Sequence, residues 1–128
     1  MAVALGQLGQ VAVSVDDVDA AERFYGNSLG LRKLFRFGNL LFFDCAAVRL
    51  LVEKSDKIVP ASSVLYFRTP DITVALRELK ARGVSFIDAP HLIAPMEDHD
   101  LWMVFFRDPA GNTLALMQEA PKGYKPAP

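Results

Sequence analysis

The two histidines are the first candidates for chemistry in this chain. His91 and His99 lie close in sequence to Glu97, Asp98 and Asp100. An imidazole can bind a transition metal or act as a general base near neutral pH, and carboxylates can complete such a site. The sequence has neither an i,i+4 histidine pair nor a His-x-His pattern. The spacing therefore favours two loop histidines, with an unusual metal or acid/base site as the alternative.

The single cysteine, Cys45, is the second candidate. It follows Asp44 at the end of a predicted strand, and Arg49 is the nearest cationic residue in sequence. A reactive thiol needs a lowered pKa, which this context does not provide, so we interpret Cys45 as a small buried residue. One cysteine also excludes an intrachain disulfide and fits a reducing cytoplasm.

Composition excludes several classes of function. The 128 residues are 52% hydrophobic and 23% charged, with a net charge of −1. Binding to nucleic acid or to an anionic membrane needs a clustered basic excess, which this balance does not suggest. No apolar run approaches the ~20 residues of a membrane span. We therefore expect a cytoplasmic globular protein with neither nucleic acid nor a membrane as partner.

An internal repeat positions the remaining candidates. Residues 10–21 and 64–75, which are 54 positions apart, each read as a short strand, an acidic turn and a helix. Such a period indicates a duplicated supersecondary unit. Alternation and turn residues extend each copy to a βαβββ module. We predict module 1 at about 8–53, a linker at 54–62, module 2 at about 63–118 and an irregular tail at 119–128.

Several boundaries follow from local signals. Asp16 or Asp17 is a predicted N-cap for the first helix, and Thr69-Pro70 is predicted to start the second. The two helices are expected near residues 17–28 and 70–82. In module 2 we predict a strand at 84–87, a proline-containing excursion at 89–100, and a hairpin around the turn sequence 108–112.

The chain resembles the vicinal oxygen chelate superfamily, which includes glyoxalase I, extradiol dioxygenases, and fosfomycin and bleomycin resistance proteins. The resemblance lies in the two βαβββ modules, in Phe24-Tyr25 before Leu29-Gly30, and in the closing sequence 106–112. It covers about residues 8–118. It implies an α+β fold in which two tandem modules form cupped mixed sheets with helices on the outer faces, and it implies a homodimer.

The resemblance also implies where metal ligands would stand. In metal-dependent members they come from the first and last strands of each module. The corresponding positions here are Gln10, Leu50, Val64 and Ala115. Zinc, iron or manganese needs three or more N, O or S donors, and a shift by one to Arg49 or to Glu53 would not supply them. We therefore expect no metal, no other cofactor and no catalytic residue.

Strand periodicity predicts which side chains share the cavity face. A mostly apolar surface with a few polar groups is typical of a small-molecule pocket. Trp102 is a further candidate, either as a stacking wall for a planar ligand or as a core or interface residue. The predicted ligand-binding residues are Gln10, Ser14, Leu50, Val64, Tyr66, Arg68, Trp102, Ala115 and Met117.

Three functions remain open at this point. The first is a metal-free homodimer that sequesters an apolar or aromatic small molecule, as bleomycin resistance proteins do. The second is a glyoxalase- or dioxygenase-like metalloenzyme with unusual ligands such as His91 and His99. The third is a dimerisation or regulatory module without a ligand, in which the same residues merely fill the sheet core.

Overall fold

Two four-stranded mixed sheets, each with one helical segment, make up the fold in a computed structural model. The structure describes residues 8–56 and 63–126. The chain divides into two compact units, Met1–Ile58 and Val59–Pro128. Most of the predicted linker 54–62 lies outside the described residues. The prediction of an α+β fold with two tandem βαβββ modules is confirmed.

The first unit contains strands β1 to β4 and helix α1. Their bounds are β1 Gln10–Val15, α1 Val18–Glu22, β2 Arg32–Phe37, β3 Leu40–Cys45 and β4 Val48–Lys54. The strand order is β1-β4-β3-β2, with β1 parallel to β4 and the other pairs antiparallel.

Helix α1 begins as the sequence predicts and ends in a wider turn. Asp17 is the N-cap, and its carboxylate accepts a hydrogen bond from the Ala20 N–H at 3.0 Å. After five residues the helix continues as a π-helical segment, Arg23–Ser28, where the Leu29 N–H donates to the Phe24 carbonyl five residues back. Tyr25 is fully buried there and its ring lies 6.0 Å from that of Phe43. Together the two segments span the predicted helix.

The second unit contains strands β5 to β8 and helix α2. Their bounds are β5 Leu65–Arg68, α2 Ile72–Ala81, β6 His91–Pro95, β7 Asp100–Arg107 and β8 Thr113–Ala120. The strand order β5-β8-β7-β6 repeats that of the first sheet. The N-cap of α2 is Asp71, whose carboxylate accepts from Thr73 and Val74, so the predicted start at Thr69-Pro70 is two residues early.

The second strand of this unit in chain order, β6, lies elsewhere than predicted. Residues 84–87 contribute only an isolated bridge between Phe86 and Phe106, whereas the predicted excursion contains β6. The Phe105 N–H donates to the Asp88 side chain at 2.9 Å, where a regular strand would offer a carbonyl. Pro90 follows, and a proline has no N–H for a ladder. The prediction of a strand at 84–87 is therefore wrong.

The closing hairpin turn is held by one buried carboxylate. Asp108 is only 5% exposed, and its Oδ1 accepts from the N–H groups of Ala110 and Asn112 at 2.9 and 2.8 Å. Its Oδ2 accepts from the Asn112 side chain at 2.8 Å. These bonds fix the β7–β8 turn that the sequence predicts.

Apolar side chains between each helix and its sheet form the cores. In the first unit these include Val15, Leu41, Phe43 and Val52, and in the second Ile72, Val104, Phe106 and Leu114, all at most 1% exposed. Within the described residues, none of the helices is both long and apolar enough to cross a membrane.

Candidate ligand-binding surfaces

Each sheet has one face covered by its helix and one face opposite, which we call the helix-free face. On the first sheet the helix-free face is defined by β1 and β4 partners. Gln10 pairs with Arg49, Ala12 with Leu51 and Ser14 with Glu53. Phe42 of β3 pairs with Leu51 and joins this face.

An arginine connects the polar and aromatic parts of that face. The Arg49 Nε donates to the Gln10 Oε1 at 2.7 Å, and its guanidinium carbon lies 5.2 Å from the Phe42 ring centroid. Phe42 in turn stacks on Phe35 of β2, with centroids 4.4 Å apart and planes inclined by 23°. Phe35 is 48% exposed. The result is a half-exposed aromatic surface that ends in a cation and an amide.

The register of β4 corrects one predicted site residue. Leu50 pairs with Val11 and Phe43, on the face that packs under the helix, and is only 2% exposed. The predicted placement of Leu50 on the cavity face is therefore wrong by one residue. Arg49 and Leu51 stand on the helix-free face instead. In a strand such as β4, where consecutive residues are apolar, the sequence does not indicate which residues point to which face of the sheet.

The helix-free face of the second sheet carries a row of aromatic residues. Tyr66 pairs with Ala115, which pairs with Phe105. The Tyr66 and Phe105 rings meet edge to face at 6.4 Å, and His91 stacks on Phe105 at 6.0 Å. Tyr66 is 49% exposed, so this row is accessible at one end.

A second row on the same face is polar at its outer edge. Arg68 pairs with Met117, which pairs with Met103. The Arg68 guanidinium lies 3.4 Å from the Glu119 carboxylate. Gln10, Ser14, Tyr66, Arg68, Ala115 and Met117 thus lie on helix-free faces, as alternation predicts. Val64 is half-buried just before β5, outside the paired strand.

Trp102 lies on the other face of the second sheet. It pairs with Gln118, whose Oε1 accepts a hydrogen bond from the Ile72 N–H of α2 at 2.8 Å. Trp102 and Phe105 are three residues apart in a strand without a bulge against β8, so they point to opposite faces. The prediction that Trp102 and Tyr66 line one cavity is therefore wrong.

The two histidines occupy separate places. His91 of β6 pairs with Met103 of β7. His99 directly precedes β7, four residues before Met103 in the chain. At ~3.3 Å per residue they are roughly 13 Å apart along β7, too far to share one metal ion. His99 Nδ1 lies 2.7 Å from an Asp98 oxygen, and this contact lowers the pKa of the Asp98 carboxyl. His91 Nδ1 lies 3.0 Å from the Ala89 carbonyl.

Cys45 is half-buried in the first unit. Burial and the neighbouring Asp44 carboxylate, in that order, raise the pKa of its thiol. A raised pKa leaves the thiol protonated near neutral pH, which agrees with a structural role.

The set of donor positions that the family resemblance implies does not fit a transition metal. In the first unit the implied positions are Gln10 and Leu50. The Gln10 amide oxygen already accepts a hydrogen bond from the Arg49 guanidinium, and Leu50 is a buried apolar residue. In the second unit they are Val64 and Ala115, which have no side-chain donor. Over residues 8–56 and 63–126, histidine, cysteine and carboxylate side chains form no group of three that could hold a metal ion.

Sequence reasoning missed several residues of these faces. Phe42, Arg49 and Phe105 were not among the predicted site residues. A signal for Phe42 was present, since Leu40, Phe42 and Asp44 alternate with residues of the core face across a predicted two-residue turn.

The sheet order, the helix on one face of each sheet and the two helix-free faces define a two-module fold of the glyoxalase type. The sequence model of the glyoxalase/bleomycin resistance protein/dioxygenase superfamily matches residues 7–116. The chain belongs to this superfamily. No curated protein sequence matches the chain significantly.

Solved structures share the fold at low sequence identity. A lactoylglutathione lyase from Agrobacterium tumefaciens is 22% identical, with a TM-score of 0.75, covering 95% of this chain and 100% of that one. A superfamily member from Sphaerobacter thermophilus is 24% identical, with a TM-score of 0.74 and coverages of 90% and 98%. An integron cassette protein from Vibrio cholerae is 16% identical, with a TM-score of 0.76 and coverages of 94% and 100%. At these identities the similarity establishes the fold alone.

Proposed function

We propose that this protein binds an apolar or aromatic small molecule on the helix-free faces of its sheets, without a metal ion, and so sequesters it. The observation that carries the proposal is the hydrogen bond from Arg49 to Gln10, beside the Phe35–Phe42 stack. A guanidinium at this place repels a metal cation, whereas it can orient a polar group of an organic ligand.

The aromatic residues supply the larger part of the expected affinity. A planar ligand can stack on Phe35 or on Tyr66, which are 48% and 49% exposed. Offset stacking is favourable by about 0.5–1.5 kcal/mol beyond the burial of area. Burial of apolar ligand surface adds about 25 cal/mol per Å². Binding of this kind needs no covalent chemistry and no catalytic residue.

A homodimer in the cytoplasm is part of the proposal. Strand β2 is an edge strand whose residues are all exposed, including Phe37 at 74%. Its exposed apolar side chains Leu34, Phe35 and Phe37 favour contact with another chain, and a symmetric pair is the commonest arrangement. The cytoplasmic location rests on the single cysteine, which fits a reducing compartment.

Isothermal calorimetry with a panel of planar aromatic compounds tests the proposal. Arg49→Ala should weaken binding of compounds held on the first sheet about two- to tenfold, because it removes an orienting group. Tyr66→Ala should do the same for compounds held on the second sheet, because it removes a stacking group. Arg23→Ala is the matched control for Arg49, since Arg23 is an exposed cation of the helical segment. The control should bind as the unchanged protein does.

Elemental analysis separates this proposal from a metalloenzyme. Protein purified without a metal-chelating resin should contain far less than one Zn, Fe, Mn or Ni per chain. A stoichiometric metal that Gln10→Ala removes would contradict the proposal. Failure of every compound in the panel to bind would leave the helix-free faces without a ligand and would favour a dimerisation module.

A further inference from the structure

A cavity on the helix side of the second sheet is separate from the surfaces described above. Its volume is ≈ 850 Å³, and it lies between one side of α2, the segment 86–90 and the segment 123–126. This side of α2 contributes four residues at helical spacing: Thr73, Leu76, Arg77 and Lys80. Trp102 contributes from β7, and it faces away from Tyr66 and Phe105. Pockets for drug-sized ligands have volumes of this order.

The wall of this cavity contains a buried donor that lacks an acceptor. Within the described ranges, the indole Nε1 of Trp102 is the buried side-chain nitrogen or oxygen that has no hydrogen-bond partner. A buried N–H without a partner is costly, and indole can only donate. Because this atom is buried from solvent, an acceptor on a bound molecule could reach it only after the Trp102 ring or its neighbours had moved. The cations that line the cavity, and not this N–H, therefore determine the expected class of ligand.

The cavity is lined by cations without an ion-pair partner among the described residues and by two carboxylates, Asp88 and Asp100, that already have hydrogen-bond partners. Asp100 is held by Lys122 at 2.9 Å and by the Gly123 N–H at 3.0 Å, which lowers the pKa of its carboxyl. Asp88 accepts from the Phe105 N–H. By contrast, Arg77, Lys80 and Lys125 form no ion pair with any residue in 8–56 or 63–126.

Apolar side chains complete the lining. Leu76 comes from α2, Phe86 and Ile87 come from the segment before Asp88, and Leu92 comes from β6. The large apolar side chains of Ile87 and Leu92 are 51% and 45% exposed. A ligand with an apolar body would cover them and would gain from their burial.

We propose that this cavity binds a small organic carboxylate with an aromatic or branched apolar body. The carboxylate pairs with Arg77 and Lys80, which supply charge-assisted hydrogen bonds. The apolar body lies against Leu76, Phe86 and the Trp102 ring. The site is built from the second unit alone and does not depend on ligand binding at the helix-free faces.

Fluorescence of Trp102, the only tryptophan of the chain, tests the proposal directly. The probe is 4-phenylbutyrate, and the neutral comparison is 4-phenylbutanamide, which has nearly the same shape. We expect 4-phenylbutyrate to change the Trp102 emission saturably, and the amide to bind several-fold more weakly. Arg77→Gln and Lys80→Gln should each lower the affinity for the acid towards that of the amide. Both residues are exposed, so these variants should fold.

Two controls make the outcome specific. Arg107→Gln removes an exposed cation outside the cavity and should leave binding of the acid unchanged. Arg23→Gln removes an exposed cation of the first unit and should also leave it unchanged. The proposal is overturned if the emission does not respond to the acid up to about 10 mM. Equal binding of acid and amide, or full binding in both Arg77→Gln and Lys80→Gln, would also overturn it.

Discussion

Arg49 donates a hydrogen bond of 2.7 Å to Gln10, directly across the parallel pair β1–β4. Gln10 stands where metal-dependent members of the superfamily are expected to place their first ligand. The amide oxygen that could have faced a metal is instead occupied by a cation that also lies over Phe42. Gln10 therefore lies on an aromatic and polar surface that it shares with Arg49 and Phe42.

The first prediction concerns the strength of that pair. In a double-mutant cycle with Gln10→Ala and Arg49→Ala, we expect a coupling free energy of about 0.5–1 kcal/mol, because both side chains are exposed and water competes for them. Urea unfolding of the four proteins measures it. Additive effects of the two substitutions would show that the hydrogen bond does not persist in solution.

The second prediction concerns the start of α2. Gln118 is 7% exposed and accepts the Ile72 N–H at 2.8 Å. Gln118→Leu keeps the volume but leaves this N–H without an acceptor, so we expect the free energy of unfolding to fall by about 1–3 kcal/mol. Glu119→Ala, one residue further on the exposed face, is the control and should change stability by less than about 0.5 kcal/mol. Similar losses of stability in both variants would contradict the role assigned to the hydrogen bond between Ile72 and Gln118.

The third prediction concerns acid stability of the first unit. Arg36 of β2 lies 2.8 Å from an Asp19 oxygen and 2.9 Å from a Glu22 oxygen, and these hydrogen bonds lower the pKa of both carboxyls. A carboxyl whose pKa is lowered by folding stabilises the fold above its unfolded value, near pH 4, and loses that effect as pH falls through the folded value.

Arg36→Gln should therefore lower the melting temperature slightly at pH 7. The difference from the unchanged protein should shrink as pH falls below about 4. The effect is small because these side chains are exposed to solvent. Thermal unfolding followed by circular dichroism from neutral to acid pH measures it. A difference that stays constant over this range would point to packing of the arginine stem and not to charge.

The fourth prediction concerns Cys45. Because burial and Asp44 raise the pKa of its thiol, the thiolate is scarce near neutral pH. Alkylation by iodoacetamide should be slower than for a free cysteine at pH 7.5, and Asp44→Asn should accelerate it. Rapid alkylation of the unchanged protein would reopen the question of a reactive thiol.

The fifth prediction concerns assembly. Light scattering at micromolar concentration should give a mass near twice the 14.1 kDa of the chain. Phe37→Lys replaces the most exposed apolar side chain of the edge strand β2 with a further cation and should shift the protein towards monomer, since charged edge residues oppose strand pairing. Phe37→Leu keeps an apolar side chain and should stay dimeric. A monomer at all concentrations would remove the homodimer from the proposal.

The sequence by itself determined the duplicated module, the N-cap of α1 and part of each sheet face. The 54-residue repeat gave the same element order in both halves, and Asp17 caps α1 as predicted. Alternation in β1 placed Gln10 and Ser14 on one face and the core valines on the other. These features are local, because a period of two and a side-chain cap depend only on neighbouring residues.

Only the tertiary structure decided which face the uniformly apolar strands present. Residues 50–52 and 101–106 are apolar on both sides, so alternation could not assign Leu50 or Trp102. Pairing with distant strands assigned them: Leu50 lies under α1, and Trp102 lies beside Gln118 under α2. A shift of one residue in register exchanges the two faces, and register is fixed by contacts far apart in the chain. The cavity at Trp102 also needs α2, β7 and residues 123–126 together, which no local pattern contains.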